Sequence, residues 1–206
     1  MKFINHRANS LSDLKKIPLE NGAELDIRYH NNDLILDHDP FHHHETKPET
    51  LENLLKQWTN KGTIILNIKT EGIEKKCIEM MNKYRIDNWF FLDLSMPYFV
   101  LYAEIAKQGT LDGFGPNNLA VRFSEQEPIE YALSFKGNVG WTWIDCFTHL
   151  PINEQNYSEL KKAGFKICLV SPELQKHPLD RISEFKKQII NLEIDAVCTK
   201  RPDLWQ

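Results

Sequence analysis

The chain has 206 residues, of which 41% are hydrophobic and 26% are charged, and its formal net charge is -4. This composition is typical of a globular domain with one buried core, and it argues against a disordered chain. The sequence has neither the basic excess of a nucleic-acid-binding protein nor the roughly 18 consecutive apolar residues of a membrane span. We therefore expect no nucleic-acid partner and no transmembrane helix.

Two further features indicate the cellular setting. The amino terminus leads directly into a strand-like segment, without the apolar stretch of a signal peptide. The four cysteines are widely spaced and form no C-x-x-C pair, which predicts free buried thiols rather than a zinc or redox site. We expect a cytoplasmic protein, and the sequence makes no prediction about its oligomeric state.

Strand-like and helix-like segments alternate along the whole chain. A short extended segment at 34–37 should pair with or extend the second strand. The eight main predicted strands are 3–6, 23–29, 64–69, 89–94, 119–123, 139–146, 165–170 and 196–199.

The segments between the strands have the spacing of amphipathic helices, with apolar residues three and four positions apart. Gly62, Gly109 and Gly164 stand where these helices should end, as left-handed caps do. The clearest apolar sets are Leu51, Leu54, Leu55 and Trp58; Ile73, Cys77, Met80, Met81 and Tyr84; and Ile182, Phe185, Ile189 and Leu192.

The predicted strands are nearly continuous hydrophobic runs, which is typical of parallel strands covered by helices. Eight strand–helix repeats predict closure into a compact (β/α)8 TIM barrel, with residues 1–206 as a single domain. The alternative is an open doubly wound sheet. No G-x-G-x-x-G follows the first strand, which makes a dinucleotide-binding version of that sheet less favoured.

Active sites of such barrels lie at the carboxyl ends of the strands. Side chains alternate between faces of a strand, so Glu24 and Asp26 share one face, and Asn67 and Lys69 share another. Polar residues facing the inside of a barrel are costly unless they are paired or hydrated, so several of them near one end favour a functional role. The polar candidates near the strand ends are His6, Arg7, Glu24, Asp26, Arg28, His38, Asn67, Lys69, Glu71, Asp93, Arg122, Trp143, Asp145, Ser171 and Arg201.

These residue types together suit phosphoester chemistry. Glu24 and Asp26, two apart, could bind a hard cation such as Mg²⁺ or Ca²⁺ through oxygen ligands. A metal and Lys69 would neutralise a phosphate, while His6 and His38 on either side could act as general base and general acid.

Five segments in order carry a family resemblance, which spans residues 6–203. They are His6-Arg7-Ala8-Asn9, Ala23-Glu24-Leu25-Asp26-Ile27-Arg28, Leu36-Asp37-His38-Asp39-Pro40, Leu66-Asn67-Ile68-Lys69 and Thr199-Lys200-Arg201-Pro202-Asp203. Together they resemble the glycerophosphodiester phosphodiesterase family of the phospholipase C-like phosphodiesterases. That family shows H-R-G, E-x-D, H-D-P and E-I-K in turn and closes near T-D-R-P.

The resemblance implies a (β/α)8 barrel and a divalent-metal hydrolase acting on a small-molecule glycerophosphodiester. By position, it implies that His6 is the base, that His38 is the acid for the leaving alcohol and that Lys69 stabilises the phosphate charge. Arg7 would contact the phosphate. Independently of the family, Trp143 on the sixth strand could contact the substrate at the barrel mouth, although core packing is its default role.

The metal-binding set departs from the family pattern. The resemblance assigns Mg²⁺ or Ca²⁺ to Glu24 and Asp26, but the third ligand, the glutamate of E-I-K, is Asn67 here. An amide oxygen can bind either metal but brings no charge, so we expect weak binding or a changed metal preference. The carboxylates that could compensate are Glu71, Asp93 and Asp145.

Two other departures concern the mouth of the site. Ala8 stands in place of the glycine of H-R-G, and the insertion that usually follows H-D-P is almost absent. The remaining segment contains His42-His43-His44, which we interpret as an exposed loop. The short segment predicts a more open site and a different or larger substrate.

Three functions remain open from the sequence. The first is a metal-dependent phosphodiester hydrolase that uses His6 and His38. The second is a phospholipase C/D-like lyase that gives a cyclic phosphate. The third is a non-catalytic phosphate-ligand-binding barrel with a weakened metal site, which Asn67 favours and the retained histidines oppose.

Overall fold

The structure is a computed structural model that describes residues 1–40 and 47–206. Within these ranges, eight parallel strands form a nearly closed barrel with helices between them. The predicted (β/α)8 TIM barrel is confirmed, and the open doubly wound sheet is wrong. The His42-His43-His44 segment lies outside the described residues.

The strands observed in the structure overlap every predicted strand, with small differences at the ends. In chain order they are β1 (Lys2–Asn5), β2 (Gly22–His30), β3 (Asp33–Leu36), β4 (Ile64–Ile68), β5 (Trp89–Leu92), β6 (Ala120–Phe123), β7 (Trp141–Ile144), β8 (Lys166–Val170) and β9 (Ala196–Thr199). The helices are α1 (Leu11–Leu14), α2 (Leu51–Lys56), α3 (Glu74–Lys83), α4 (Met96–Gln108), α5 (Ile129–Ser134), α6 (Glu154–Lys162), α7 (Arg181–Gln188) and α8 (Pro202–Trp205).

The strand order is β5-β4-β2-β1-β9-β8-β7-β6, and β3 pairs antiparallel with β2, as the segment at 34–37 predicted. In the described part of the chain, β5 and β6 meet through one parallel bridge, between Phe91 and Leu119. We call this junction the β5–β6 seam. Asn118 closes its amino end by donating from Nδ2 to the carbonyl oxygen of Trp89 (3.0 Å).

The sequence explains the local structure of the barrel wall. Every residue of β4, β5, β7 and β9 is buried, as expected for parallel strands covered on both faces. Helix α2 begins after Thr50, whose hydroxyl accepts a hydrogen bond from the backbone N–H of Asn53 (3.2 Å). It buries Leu51, Leu54 and Leu55 against the barrel.

The four cysteines are free and buried, as predicted. Burial raises the thiol pKa of each cysteine above its ordinary value, so these groups stay protonated and behave as small apolar side chains. None of the helices in the described ranges is long and apolar enough to span a membrane.

One predicted helix cap is wrong. Gly109 is a left-handed cap of α4, and Gly164, with φ of 91°, follows α6. Gly62 has no such role because α2 ends at Lys56. A Cβ atom at Gly62 would lie 2.0 Å from the backbone nitrogen of Gly22. Glycine is therefore required at this position because two backbone segments pack closely at the amino-terminal end of the barrel strands.

Candidate active site

A cavity of about 360 Å³ opens where the parallel strands end, and we call it the central cavity. Asp26 lies beside it, fully buried, with Oδ1 3.6 Å from Nζ of Lys69. The structure therefore brings together all eight residues that the sequence predicts for the site. The seven that line the cavity are His6, Arg7, Glu24, His38, Asn67, Lys69 and Trp143.

His6 follows β1 directly and is largely buried. Its Nε2 atom lies 3.8 Å from Oε2 of Glu24, and its Nδ1 atom is buried without a hydrogen-bond partner. Burial, followed by the positive charges of Arg7 and Lys200, lowers the pKa of His6 to about 3. The imidazole is therefore neutral near pH 7 and able to accept a proton.

Arg7 has a backbone φ of 56°, in the left-handed region that non-glycine residues rarely adopt. In this conformation its backbone N–H donates to Oε2 of Glu24 (2.7 Å), and its Nε lies 3.9 Å from Oδ2 of Asp26. The neighbouring Ala8 is buried and has no positive φ, so replacing the family's glycine there causes no backbone strain. The strained residue is Arg7, and strain of this kind concentrates at functional sites.

The buried acidic pair is held by two asparagines. Asp26 and Asn67 are direct neighbours in the β2–β4 register, and Asn67 donates from Nδ2 to Oε1 of Glu24 (2.8 Å). Asn9 donates from Nδ2 to Oδ2 of Asp26 (2.8 Å) and accepts the backbone N–H of Asp26 (2.9 Å). Burial, followed by the charge of Asp26, raises the pKa of Glu24 above its ordinary value.

The donor set around this pair fits a hard divalent cation. Asp26 Oδ1 and Asn67 Oδ1 are buried oxygens without a hydrogen-bond partner, and the Glu24 carboxylate lies beside them. Oxygen donors of this kind are the ligands that Mg²⁺ and Ca²⁺ prefer. Within residues 1–40 and 47–206, no group of three or more His, Cys, Asp or Glu side chains could hold a metal ion. The third oxygen of this set belongs to the uncharged amide of Asn67.

Lys69 follows β4 and lies between two carboxylates. Its Nζ atom is 3.6 Å from Oδ1 of Asp26 and 3.7 Å from Oδ2 of Asp93. Both distances exceed those of a hydrogen bond, so the ammonium group keeps its donors available for an anion in the cavity.

His38 stands across the cavity, after β3. Its Nδ1 lies 2.8 Å from Oδ1 of Asp39, which orients the ring. Arg28 donates from Nη2 to the carbonyl oxygen of His38 (2.8 Å) and from Nη1 to that of Lys69 (3.2 Å). Arg28 therefore holds the backbone of two site residues instead of lining the cavity.

The far wall of the cavity is a closed ionic cluster around Arg122 on β6. Its guanidinium group pairs with Asp93 and Asp145 and lies 3.6 Å from Glu127. Asp145 also accepts a hydrogen bond from Gln175 (2.7 Å). Asp93 and Asp145 are thus already paired with Arg122.

The remaining sequence candidates lie outside the cavity. Glu71 is exposed, Arg201 pairs with Asp203 (2.7 Å), and Ser171 donates to Glu173. The sequence analysis missed Asn9, although it lies in the first motif. It also missed Phe147, Leu174 and Gln175, which line the cavity and lie within five residues after the predicted strands 139–146 and 165–170.

Comparisons with known proteins give the same architecture. No family model and no curated protein matches the sequence. A glycerophosphodiester phosphodiesterase structure from Agrobacterium tumefaciens matches 100% of this chain and 99% of its own, with a TM-score of 0.69 and 14% identity. A glycerophosphoryl diester phosphodiesterase structure from Parabacteroides distasonis matches 99% of this chain and 84% of its own, with a TM-score of 0.66 and 12% identity. At these identities the likeness shows the fold, and both proteins belong to the family that the sequence motifs resemble.

Proposed function

We propose that this chain is a phosphoric diester hydrolase of the glycerophosphodiester phosphodiesterase type, acting on a small-molecule phosphodiester. The observation that carries the proposal is the central cavity, where His6 and His38 face a space bordered by Lys69 and by a buried carboxylate pair. The fold of the two structural neighbours supports the same reaction class.

In the proposed reaction, water attacks phosphorus and the bond from phosphorus to the leaving alcohol breaks. His6 takes the proton of the attacking water through a ring nitrogen that burial keeps unprotonated near pH 7. His38 gives a proton to the leaving oxygen, and its ring is oriented for this by Asp39.

The substrate phosphate binds beside Lys69 and Arg7. The Lys69 ammonium group has no hydrogen bond to its two flanking carboxylates, and the Arg7 guanidinium is exposed to the cavity. These two cations would stabilise the negative charge that develops on the phosphoryl oxygens. Trp143 forms part of the wall on which the alcohol would lie.

Glu24, Asp26 and Asn67 would hold Mg²⁺ or Ca²⁺. When bound, such a cation supplies Lewis acidity and neutralises phosphate charge. Because Asn67 brings no negative charge, we propose that the affinity is lower than that of a site with three carboxylates.

The test is a screen of glycerophosphodiesters with Mg²⁺, Ca²⁺ or chelator, followed by phosphorus NMR. His6→Ala and His38→Ala should each abolish turnover. His149→Ala removes an exposed histidine outside the cavity and should keep turnover. Wild-type turnover in both His6→Ala and His38→Ala would contradict the proposed chemistry.

The same spectra separate the alternatives. A phosphomonoester product indicates hydrolysis, whereas a cyclic phosphate indicates a lyase in which a neighbouring substrate hydroxyl attacks phosphorus. Binding of the diesters without turnover under any metal condition would favour the non-catalytic barrel, for which Asn67 is the supporting feature.

A further inference from the structure

A second hollow lies beside the central cavity, and we call it the lateral hollow. It has a volume of about 160 Å³ and lies between the end of β1, the helix α1 and the turn that follows β9. His6 and Arg7 line both spaces, so the two lie side by side at residues on which the proposed function depends.

The lateral hollow is positively charged although the chain as a whole is negative. Arg7, Lys16 and Lys200 contribute cations to its lining, and Asp13 contributes the opposing carboxylate. Asp13 is itself engaged, because its Oδ2 accepts the Ser10 hydroxyl (2.6 Å) and its Oδ1 lies 3.7 Å from Nζ of Lys16. An excess of positive charge therefore remains in the hollow.

Lys200 is anchored through its backbone and keeps its side chain available. Its N–H donates to Oε1 of Glu173 (3.0 Å), which also accepts the hydroxyl of Thr199 (2.6 Å). The Lys200 side chain is exposed to solvent. The Lys200 ammonium is close enough to His6, which lines both spaces, for its positive charge to contribute to lowering the pKa of His6.

From this placement we propose that the lateral hollow binds a second anionic group of the substrate. The substrate class would be a phosphodiester with an additional phosphomonoester or carboxylate on one of its alcohols. This inference rests on the proposed function for the position of the scissile phosphate. With that phosphate beside Lys69 and His6, the rest of the molecule reaches the lateral hollow by passing His6 and Arg7. There Lys16 and Lys200 supply the donors that anionic oxygens require, while Arg7 stays with the scissile phosphate.

The experiment compares two glycerophosphodiesters that differ only by a phosphomonoester on one alcohol. In the wild type, we expect a higher kcat/KM for the doubly anionic compound. Lys200→Glu and Lys16→Glu should each lower the ratio of the two kcat/KM values by about fivefold or more. The matched control is Lys15→Glu, which makes the same charge change on the exposed neighbour of Lys16, outside the hollow, and should keep the ratio.

Equilibrium binding separates a failure of this inference from a failure of the proposed function. Non-hydrolysable phosphonate analogues of the two compounds are titrated calorimetrically into wild type, Lys200→Glu and Lys15→Glu. Tighter binding of the doubly anionic analogue that is lost only in Lys200→Glu supports the hollow, even if no diester is turned over. Equal affinity for the two analogues, or an equal loss in Lys15→Glu, overturns the inference and leaves the hydrolase proposal standing.

Discussion

Asn67 donates a hydrogen bond from Nδ2 to Oε1 of Glu24 over 2.8 Å, across the neighbouring strands β4 and β2. A carboxylate at position 67 could not make this contact when ionised. It would instead place a third negative charge beside Glu24 and Asp26, and a cation would be needed to stabilise it. The amide thus stabilises Glu24 by a hydrogen bond without adding negative charge to the buried pair.

Asn67→Glu should bind Mg²⁺ about tenfold more tightly or better, because carboxylate ligands add charge to the site. Without metal, the same variant should melt at a lower temperature than wild type, since three carboxylates repel one another. Calorimetric titration with Mg²⁺ and melting curves with and without it provide the measurements. Asn67→Gln is the control, because it has the length of glutamate without its charge. Equal Mg²⁺ affinity of Asn67→Glu and Asn67→Gln would show that residue 67 is not a ligand.

Arg122→Ala should destabilise the fold by about 3 kcal/mol, because it leaves the buried carboxylate of Asp145 and that of Asp93 without their cation. Asp93 also faces Lys69, so kcat/KM should fall, by up to about 100-fold if the ammonium group moves by an ångström. Denaturant unfolding and steady-state kinetics measure the two effects. Lys61→Ala breaks an exposed pair with Glu20 and should cost less than about 1 kcal/mol. Similar losses in the two variants would refute the buried-cluster account.

Glu74→Gln should stabilise the protein at pH 7 by about 1 kcal/mol. Glu74 is buried at the start of α3, and neither carboxylate oxygen has a hydrogen-bond partner of ordinary geometry. Burial raises the pKa of its carboxyl, and backbone N–H groups nearby lower it only in part. The folded state therefore holds the proton more tightly than the unfolded state, and wild-type stability falls as pH rises through the folded pKa.

The advantage of Glu74→Gln should consequently shrink as pH falls toward 4.5, the ordinary value of a glutamate. Urea unfolding at pH 7 and pH 4.5 measures this difference. Glu79→Gln alters an exposed glutamate on the same helix and should change stability little at either pH. A destabilised Glu74→Gln at pH 7 would show that the ionised carboxylate is favourable where it lies.

Gly62→Ala should cost about 3 kcal/mol or more, because the new methyl group would overlap the backbone of Asn21 and Gly22. Gly115→Ala is the matched control, since its extended backbone suits any residue and nothing lies within 4 Å of the added atom. That variant should stay within about 1 kcal/mol of wild type. Thermal melting of the purified variants measures both changes, and equal melting temperatures would exclude the close approach at Gly62.

Hydrophobic periodicity predicted the barrel because strand runs and helix spacing are local properties. It placed strand ends less well. The predicted strand 89–94 ends at Leu92, because Asp93 adopts a left-handed conformation that turns its carboxylate toward Arg122. In the same way, the spacing of Gly62 suggested a cap, although contact with residues forty positions earlier determines its role.

The candidate site was predictable where residues alternate along one strand, as Glu24 and Asp26 do. Pairing between strands was not predictable. Only the closed barrel shows that Asn9 donates a hydrogen bond to Asp26 and that Arg122 pairs with Asp93, one of the carboxylates considered as a metal ligand. These contacts depend on the register of strands far apart in the chain.

The β5–β6 seam has a mechanical consequence. Its backbone pairing is sparse, so opening the barrel wall there breaks fewer main-chain hydrogen bonds than opening it between β2 and β4. The barrel wall should therefore open most easily at this seam, and backbone amide hydrogens there should exchange fastest. At the mouth of the barrel, the ion pair between Asp93, which follows β5, and Arg122, on β6, connects the two strands across the seam. Loss of this ion pair should therefore speed amide exchange at the seam more than elsewhere in the barrel wall.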